Sequence, residues 1–97
     1  MLTSKQRSNL RSLATNIKPV TQVGKSGVGD TLVNCISDAL EAHELVKVTV
    51  LENAGMTAKD VGFELAEKLG AEFVCATGKK LVFYRRSKNS NVKHIEF

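Results

Sequence analysis

With 97 residues, 42% of them apolar and 25% charged, the chain is sized for one domain around one hydrophobic core. No apolar run approaches the ~20 residues of a membrane-spanning helix. The opening Met1-Leu2-Thr3-Ser4-Lys5-Gln6-Arg7 lacks the apolar stretch of a signal peptide, so a cytoplasmic protein is expected.

The spacing of Leu10, Leu13, Ala14 and Ile17 predicts a first helix from about Ser4 to Ala14, capped by Thr3 or Ser4. Pro19 blocks its continuation, because the residue before a proline is pushed out of helical geometry. A short strand, Val20 to Val23, ends at Gly24. The strongest helical pattern runs from Asp30 to His43, with Leu32, Ile36, Ala39, Leu40 and His43 three and four apart and Cys35 beside them. Leu45 to Leu51 alternates, Val46, Val48 and Val50 pointing one way and Lys47 and Thr49 the other, as in a strand with one buried face. A third helix opens on a Thr57 cap with Asp60 in its first turn, turns Val61, Leu65, Ala66 and Leu69 inward, and stops at Gly70. Two strands follow, Glu72–Thr77 and Leu81–Tyr84, joined by a tight turn at Gly78-Lys79-Lys80.

The order α-β-α-β-α-β-β predicts an α/β sandwich of two layers on a four-stranded mixed sheet, with parallel strand–helix–strand units and a final antiparallel hairpin. Leu81-Val82-Phe83-Tyr84 is apolar on both faces, so something must cover its far side; the first helix is the candidate. Residues 1–97 read as one domain, with 86–97 a polar tail of uncertain order. Cys35 and Cys75 lie forty residues apart, with no CxxC and no nearby His pairing, and read as reduced core residues.

The net charge of +4 is unevenly spread. Met1 to Lys25 holds five basic residues and no acid, Ser26 to Gly78 nets −6, and Lys79 to Phe97 nets +5. A fold that joins the two basic ends carries a one-sided positive face, as polyanion binders do.

Between strand and helix lies Val23-Gly24-Lys25-Ser26-Gly27-Val28-Gly29-Asp30. A Walker A loop is excluded, because its first glycine would fall on Pro19. The dinucleotide fingerprint fails because the order here is Gly-x-x-Gly-x-Gly. What remains is a Gly-x-x-Gly turn with a cation inside it. Its backbone can approach a phosphate, and the helix start behind it adds N–H donors; KH domains clamp nucleic acid with such a loop. Lys18, Arg7 and Arg11 add charge upstream, and Lys79, Lys80 and Arg85 form a second cluster with Arg86 and Lys88 beyond it. Tyr84 is read as a core residue or as a base-stacking platform.

Three motifs in order, the loop Val23-Gly24-Lys25-Ser26-Gly27, the strand Glu44-Leu45-Val46-Lys47-Val48 and the hairpin Gly78-Lys79-Lys80-Leu81-Val82-Phe83-Tyr84-Arg85, together with the opening Leu2-Thr3-Ser4-Lys5-Gln6 and Lys18-Pro19, make the chain resemble the CRM domain (chloroplast RNA splicing and ribosome maturation) in its stand-alone bacterial YhbY-like form. The resemblance implies a fold similar to the C-terminal domain of translation initiation factor three. It implies RNA binding through Gly24, Lys25, Ser26 and Gly27 and the adjacent basic surface, and association with precursors of the large ribosomal subunit. One departure is Gly29, where the family usually has Ser or Thr; glycine still serves as a helix N-cap.

The expected partner is therefore RNA, ribosomal RNA or a precursor large subunit, bound by a monomer without cofactor, metal or membrane. The expected RNA-contacting set is Gly24, Lys25, Ser26, Gly27, Lys18, Arg7, Arg11, Lys79, Lys80 and Arg85. No Ser/His/Asp, Cys/His or paired-carboxylate arrangement supports an enzyme. His43 reads as a half-buried helix residue and His94 as part of the tail, and Glu41, Glu44, Glu64 and Glu67 read as solvated helix surface. The rival reading is a protein-interaction module that docks ribosomal proteins on Asp38, Glu41, Asp60, Glu64 and Glu67.

Overall fold

The computed structural model describes residues 2–24, 27–51, 57–89 and 91–97. Three helices and four strands form in the order α1 (Ser4–Ala14), β1 (Thr21–Val23), α2 (Asp30–His43), β2 (Leu45–Val50), α3 (Ala58–Leu69), β3 (Glu72–Thr77) and β4 (Lys80–Tyr84). The helix starts follow from their caps. The Thr3 hydroxyl accepts from Gln6 N while Gln6 Oε1 accepts from Thr3 N, a reciprocal capping box at α1. Thr57 caps α3 by accepting from Asp60 N. Gly70, at φ 61°, ends α3, and the Ala71 N–H returns to the Ala66 carbonyl.

The expected α/β class with a four-stranded mixed sheet is observed. β1 and β2 are parallel neighbours around α2, and β3 and β4 form the antiparallel hairpin. The second strand–helix–strand unit departs from expectation. β4 inserts between β2 and β3 and pairs antiparallel with both, giving the order β1-β2-β4-β3. β4 brings Leu81 and Phe83 to one face and Val82 to the other, so it needs a neighbour on each edge and cover on each face, and the central position supplies both.

On one face Val46, Val48, Val50, Leu81 and Phe83 meet Ile36 and Leu40 of α2 and Val61, Leu65 and Leu69 of α3. On the other, Leu45, Val74 and Val82 meet Leu10 and Ala14, with Ile17, Ile95 and Phe97 packed around them. α1 thus answers the need for cover on the far side of β4 and adds a partial third layer to the two expected. A register shift between Phe73 and Cys75 marks a bulge in β3. Phe73 packs toward α3, and both Val74 and Cys75 then reach the α1 side.

In the segment read as a polar tail of uncertain order, the described residues pack on the fold. Ser87 is buried, Ile95 and Phe97 pack on the second cluster, and the Phe97 ring meets Tyr84 edge-on at 4.8 Å. Its anchor is Glu44, which is fully buried and not solvated. The Glu44 carboxylate accepts from Ser87 N at 2.6 Å and Ile95 N at 2.7 Å and pairs with His94 Nδ1 at 2.5 Å. Burial alone would raise the Glu44 pKa. The hydrogen bonds from His94, Ser87 and Ile95, with the His94 charge, outweigh it and hold the carboxyl below its ordinary value. Two smaller expectations also change: Cys35 is exposed and not in the core, with Cys75 half-buried, and His43 is exposed at the end of α2.

Candidate functional site

The turn after β1 closes on itself, Gly27 N donating to Gly24 O at 2.9 Å, with Gly27 at φ 68°. Nothing lies within 4 Å of where a Gly27 side chain would begin, so the left-handed backbone, and not crowding, calls for glycine there. Lys25 and Ser26, the two residues between the glycines, lie outside the described residues. Gly29 takes the N-cap of α2 without a side-chain hydrogen bond. Asp30 already sets a negative charge in that first turn, so the helix end is partly compensated, and affinity for an anion must come from the turn and its cations.

The sheet register brings the second cluster to the same end. Leu51 N donates to Val23 O at 2.8 Å and Val50 N to Lys79 O at 2.6 Å. The end of β2 is thereby clamped between the start of the glycine turn and the tip of the β3–β4 hairpin. That tip is a two-residue turn with Gly78 at φ 60° and Lys79 not at positive φ, the pattern that matches strand twist with glycine first. Gly24, Gly27, Lys79 and Lys80 therefore share one end of the sheet. Beside the turn a groove runs between β1, whose outer side is a sheet edge, and the start of α2, lined by Gln22, Gly24, Gly27, Thr31 and Cys35.

The remaining cations divide. Arg7 and Arg11 lie on the side of α1 toward β3, and the Arg7 Nη1 donates to the bulge carbonyl of Phe73 at 3.1 Å. Lys18 precedes β1 and is exposed at the opposite end of the sheet from the turn, near His43 and Ile95. Arg85 is drawn inward. Its guanidinium donates to Leu69 O at 2.8 Å and to Ser37 O and Oγ at 3.0 Å and pairs with Glu41 at 3.3 Å, and its side chain is 19% exposed. It ties β4 to α2 and α3 instead of presenting a charge to solvent, because the carbonyl at the end of α3 and the Glu41 carboxylate offer a planar fork its best partners. Glu41, expected as solvated surface, is held in that pair.

Lys47 stands outside the expected contact set. It stands opposite the core valines of β2, on the α1 side, half-buried with Arg11 and Lys80 around one cavity. The alternation of Val46, Val48 and Val50 already assigns it to the far face; only the position of α1 shows that this face is a cleft. Among the described residues, no group of His, Cys, Asp and Glu is placed to hold a metal ion, and no helix is long and apolar enough to cross a membrane.

Comparison with known proteins gives consistent relatives. The chain is 43% identical over 96 residues to the "Probable RNA-binding protein YqeI" of Bacillus subtilis strain 168, covering 99% of this chain and 98% of that one. It is 30% identical to a Haemophilus influenzae RNA-binding protein, over 95% and 93% of the two chains. The fold matches the solution structure of SAV1595 from Staphylococcus aureus, described there as a candidate RNA-binding protein, with a TM-score of 0.75, 37% identity and coverage of 98% and 100%. The model of the CRS1/YhbY (CRM) domain matches residues 2–85, and the chain belongs to the CRM domain family.

Proposed function

We propose that the protein is a non-catalytic RNA-binding protein that grips the RNA backbone with the Gly24–Gly27 turn and the Lys79-Lys80 hairpin tip, and that it acts on precursors of the large ribosomal subunit in the cytoplasm. The observation that carries this reading is the shared sheet end. A turn closed by Gly27 N–Gly24 O and a hairpin bearing Lys79 and Lys80 flank the same strand through Leu51 N–Val23 O and Val50 N–Lys79 O. The family and the RNA-binding names of its relatives support RNA as the polyanion. Lys25 and Ser26 belong to the proposed contact as the residues inside the turn, and Arg7, Arg11 and Lys18 as the upstream cations. The Arg85 geometry supports a structural role. Because phosphate contacts dominate, affinity should fall by about 0.7 log units per log of salt for each single-strand phosphate engaged.

The test is binding to ribosomal RNA fragments across a salt series, with Lys25→Glu as the perturbation, followed by co-sedimentation with precursor subunits from cells. Binding insensitive to both salt and Lys25→Glu removes the proposed surface; RNA binding without co-sedimentation removes the ribosomal assignment alone. A second reading, docking of basic ribosomal proteins, draws on the exposure of Asp38, Asp60 and Glu67 on the helical layer away from α1. Charge reversal there that abolishes co-sedimentation while sparing RNA affinity selects it.

A further inference from the structure

The cleft between α1 and the open part of the sheet has a composition that the glycine turn does not explain. α1 is short, and Leu10 and Ala14 cover only the Leu45, Val74 and Val82 part of that face. Beyond it the sheet carries Lys47 from β2, Lys80 from β4 and, because of the bulge, Cys75 and Thr77 from β3 on the same side. α1 supplies Arg11 and the residue after its end, Thr15. Three cations and the Thr77 hydroxyl thus line one cavity with no carboxylate in its lining, the Thr15 hydroxyl donating to the Arg11 carbonyl. Among the described residues, Arg11, Lys47 and Lys80 form no ion pair with an acid. Half-burying a lysine beside two other cations is unfavourable unless an anion joins them. Among the described residues the chain supplies none.

We propose that this cleft is a second phosphate seat, formed by Arg11, Lys47 and Lys80 with the Thr77 hydroxyl, which holds a phosphate of the same RNA strand that engages the glycine turn. Lys47 is its central contact. The inference rests on the RNA-binding reading and extends it. β1 and β4 are separated by β2 alone, about 10 Å of sheet at ~4.8 Å per strand. The hairpin tip meets the end of β2 beside the glycine turn, and Lys80 at the start of β4 lines the cleft, so one strand passing around this end of the sheet reaches both. The phosphate is either an internal diester or a terminal monoester, and the chemistry of the seat is the same for each.

The two cysteines give a footprint that separates the sites. Cys35 lines the groove beside the glycine turn and Cys75 lines the cleft. Alkylation rates of the two thiols are measured by mass spectrometry, with and without a single-stranded RNA of about 12 nucleotides. The expected result is protection of both. Lys47→Gln should weaken binding about fivefold and lower the salt slope by ~0.7. It should release Cys75 from protection while Cys35 stays covered, and retained Cys35 protection and an unchanged circular dichroism spectrum report an intact fold. RNA carrying a 5′-phosphate or a 5′-hydroxyl distinguishes the sources. Equal protection of Cys75 identifies an internal diester, and protection only with the phosphate identifies the strand end; either supports the seat. Cys35 protected with Cys75 fully reactive overturns the cleft and leaves the turn standing. Cys75 protected with Cys35 reactive sinks the turn instead. Protection of Cys75 by polyglutamate but not by RNA assigns the cleft to an acidic protein and overturns the proposal.

Discussion

Replacing Glu44 tests the internal logic of the fold, because one buried carboxylate holds the C-terminal segment against the α1 layer. Its three partners are Ser87 N, Ile95 N and His94 Nδ1, at 2.6, 2.7 and 2.5 Å. Hydrogen bonds to a charged group contribute roughly 1.5–3 kcal/mol each, and the cost of desolvating the carboxylate offsets several kcal/mol of that sum. Removing one partner from such a buried arrangement costs about 3–5 kcal/mol. At 4–8 °C per kcal/mol for a chain of this size, Glu44→Ala should lower Tm by at least about 12 °C. Glu44 also sits at φ 65°, the left-handed C-cap of α2, so Glu44→Gly should recover roughly 1 kcal/mol relative to alanine. Urea titration of the three proteins measures the order, and amide resonances of Ile95 and Phe97 report release of the segment. The carboxyl is depressed in the fold, so its contribution is complete above the ordinary carboxylate pKa of about 4.3 and is lost as pH falls from there through the lower folded value. Glu44→Gln should lack this part of the acid dependence. A Glu44→Ala protein within about 0.5 kcal/mol of the parent, with unchanged segment resonances, would refute the reasoning.

Further outcomes follow from packing and backbone. A Cβ on Gly62 would lie 2.4 Å from Phe73 Cζ, and that ring stacks on Phe83 at 5.6 Å and meets Phe63, itself 57% exposed, edge-on at 5.3 Å. Gly62→Ala should destabilise by about 1–2 kcal/mol despite the better helix propensity of alanine, and a gain in Tm contradicts this packing. Arg85→Lys should cost roughly 2–3 kcal/mol, because one ammonium cannot reach Leu69 O, Ser37 and Glu41 together; thermal unfolding close to that of the parent argues against the pin. Gly27→Ala should lose about 1 kcal/mol to its positive φ, whereas Gly29→Ser should gain a few tenths of a kcal/mol by capping α2; equal effects in a denaturant series would remove the distinction.

Local chemistry was legible from the residues themselves. The Thr3 and Thr57 caps, the stop at Gly70, the alternation of Leu45 to Val50 and the Gly78 turn all act within about four residues, so helix and strand bounds follow from nearest neighbours in the chain. The need for cover on both sides of Leu81–Tyr84 was readable in the same way. Tertiary structure alone decided what depends on partners distant in the chain, 16 to 51 residues away. The insertion of β4 between β2 and β3 brought the hairpin tip to the end of β2 beside the glycine turn, and left Lys18 at the other end. Glu44 could be buried because Ser87, His94 and Ile95 came to satisfy it, and Arg85 turned inward because Leu69, Ser37 and Glu41 offered it more than water does. A charge in a sequence carries its sign but not its surroundings. Whether it is drawn inward or left at the surface is set by what the rest of the chain folds around it, as the inward turn of Arg85 shows.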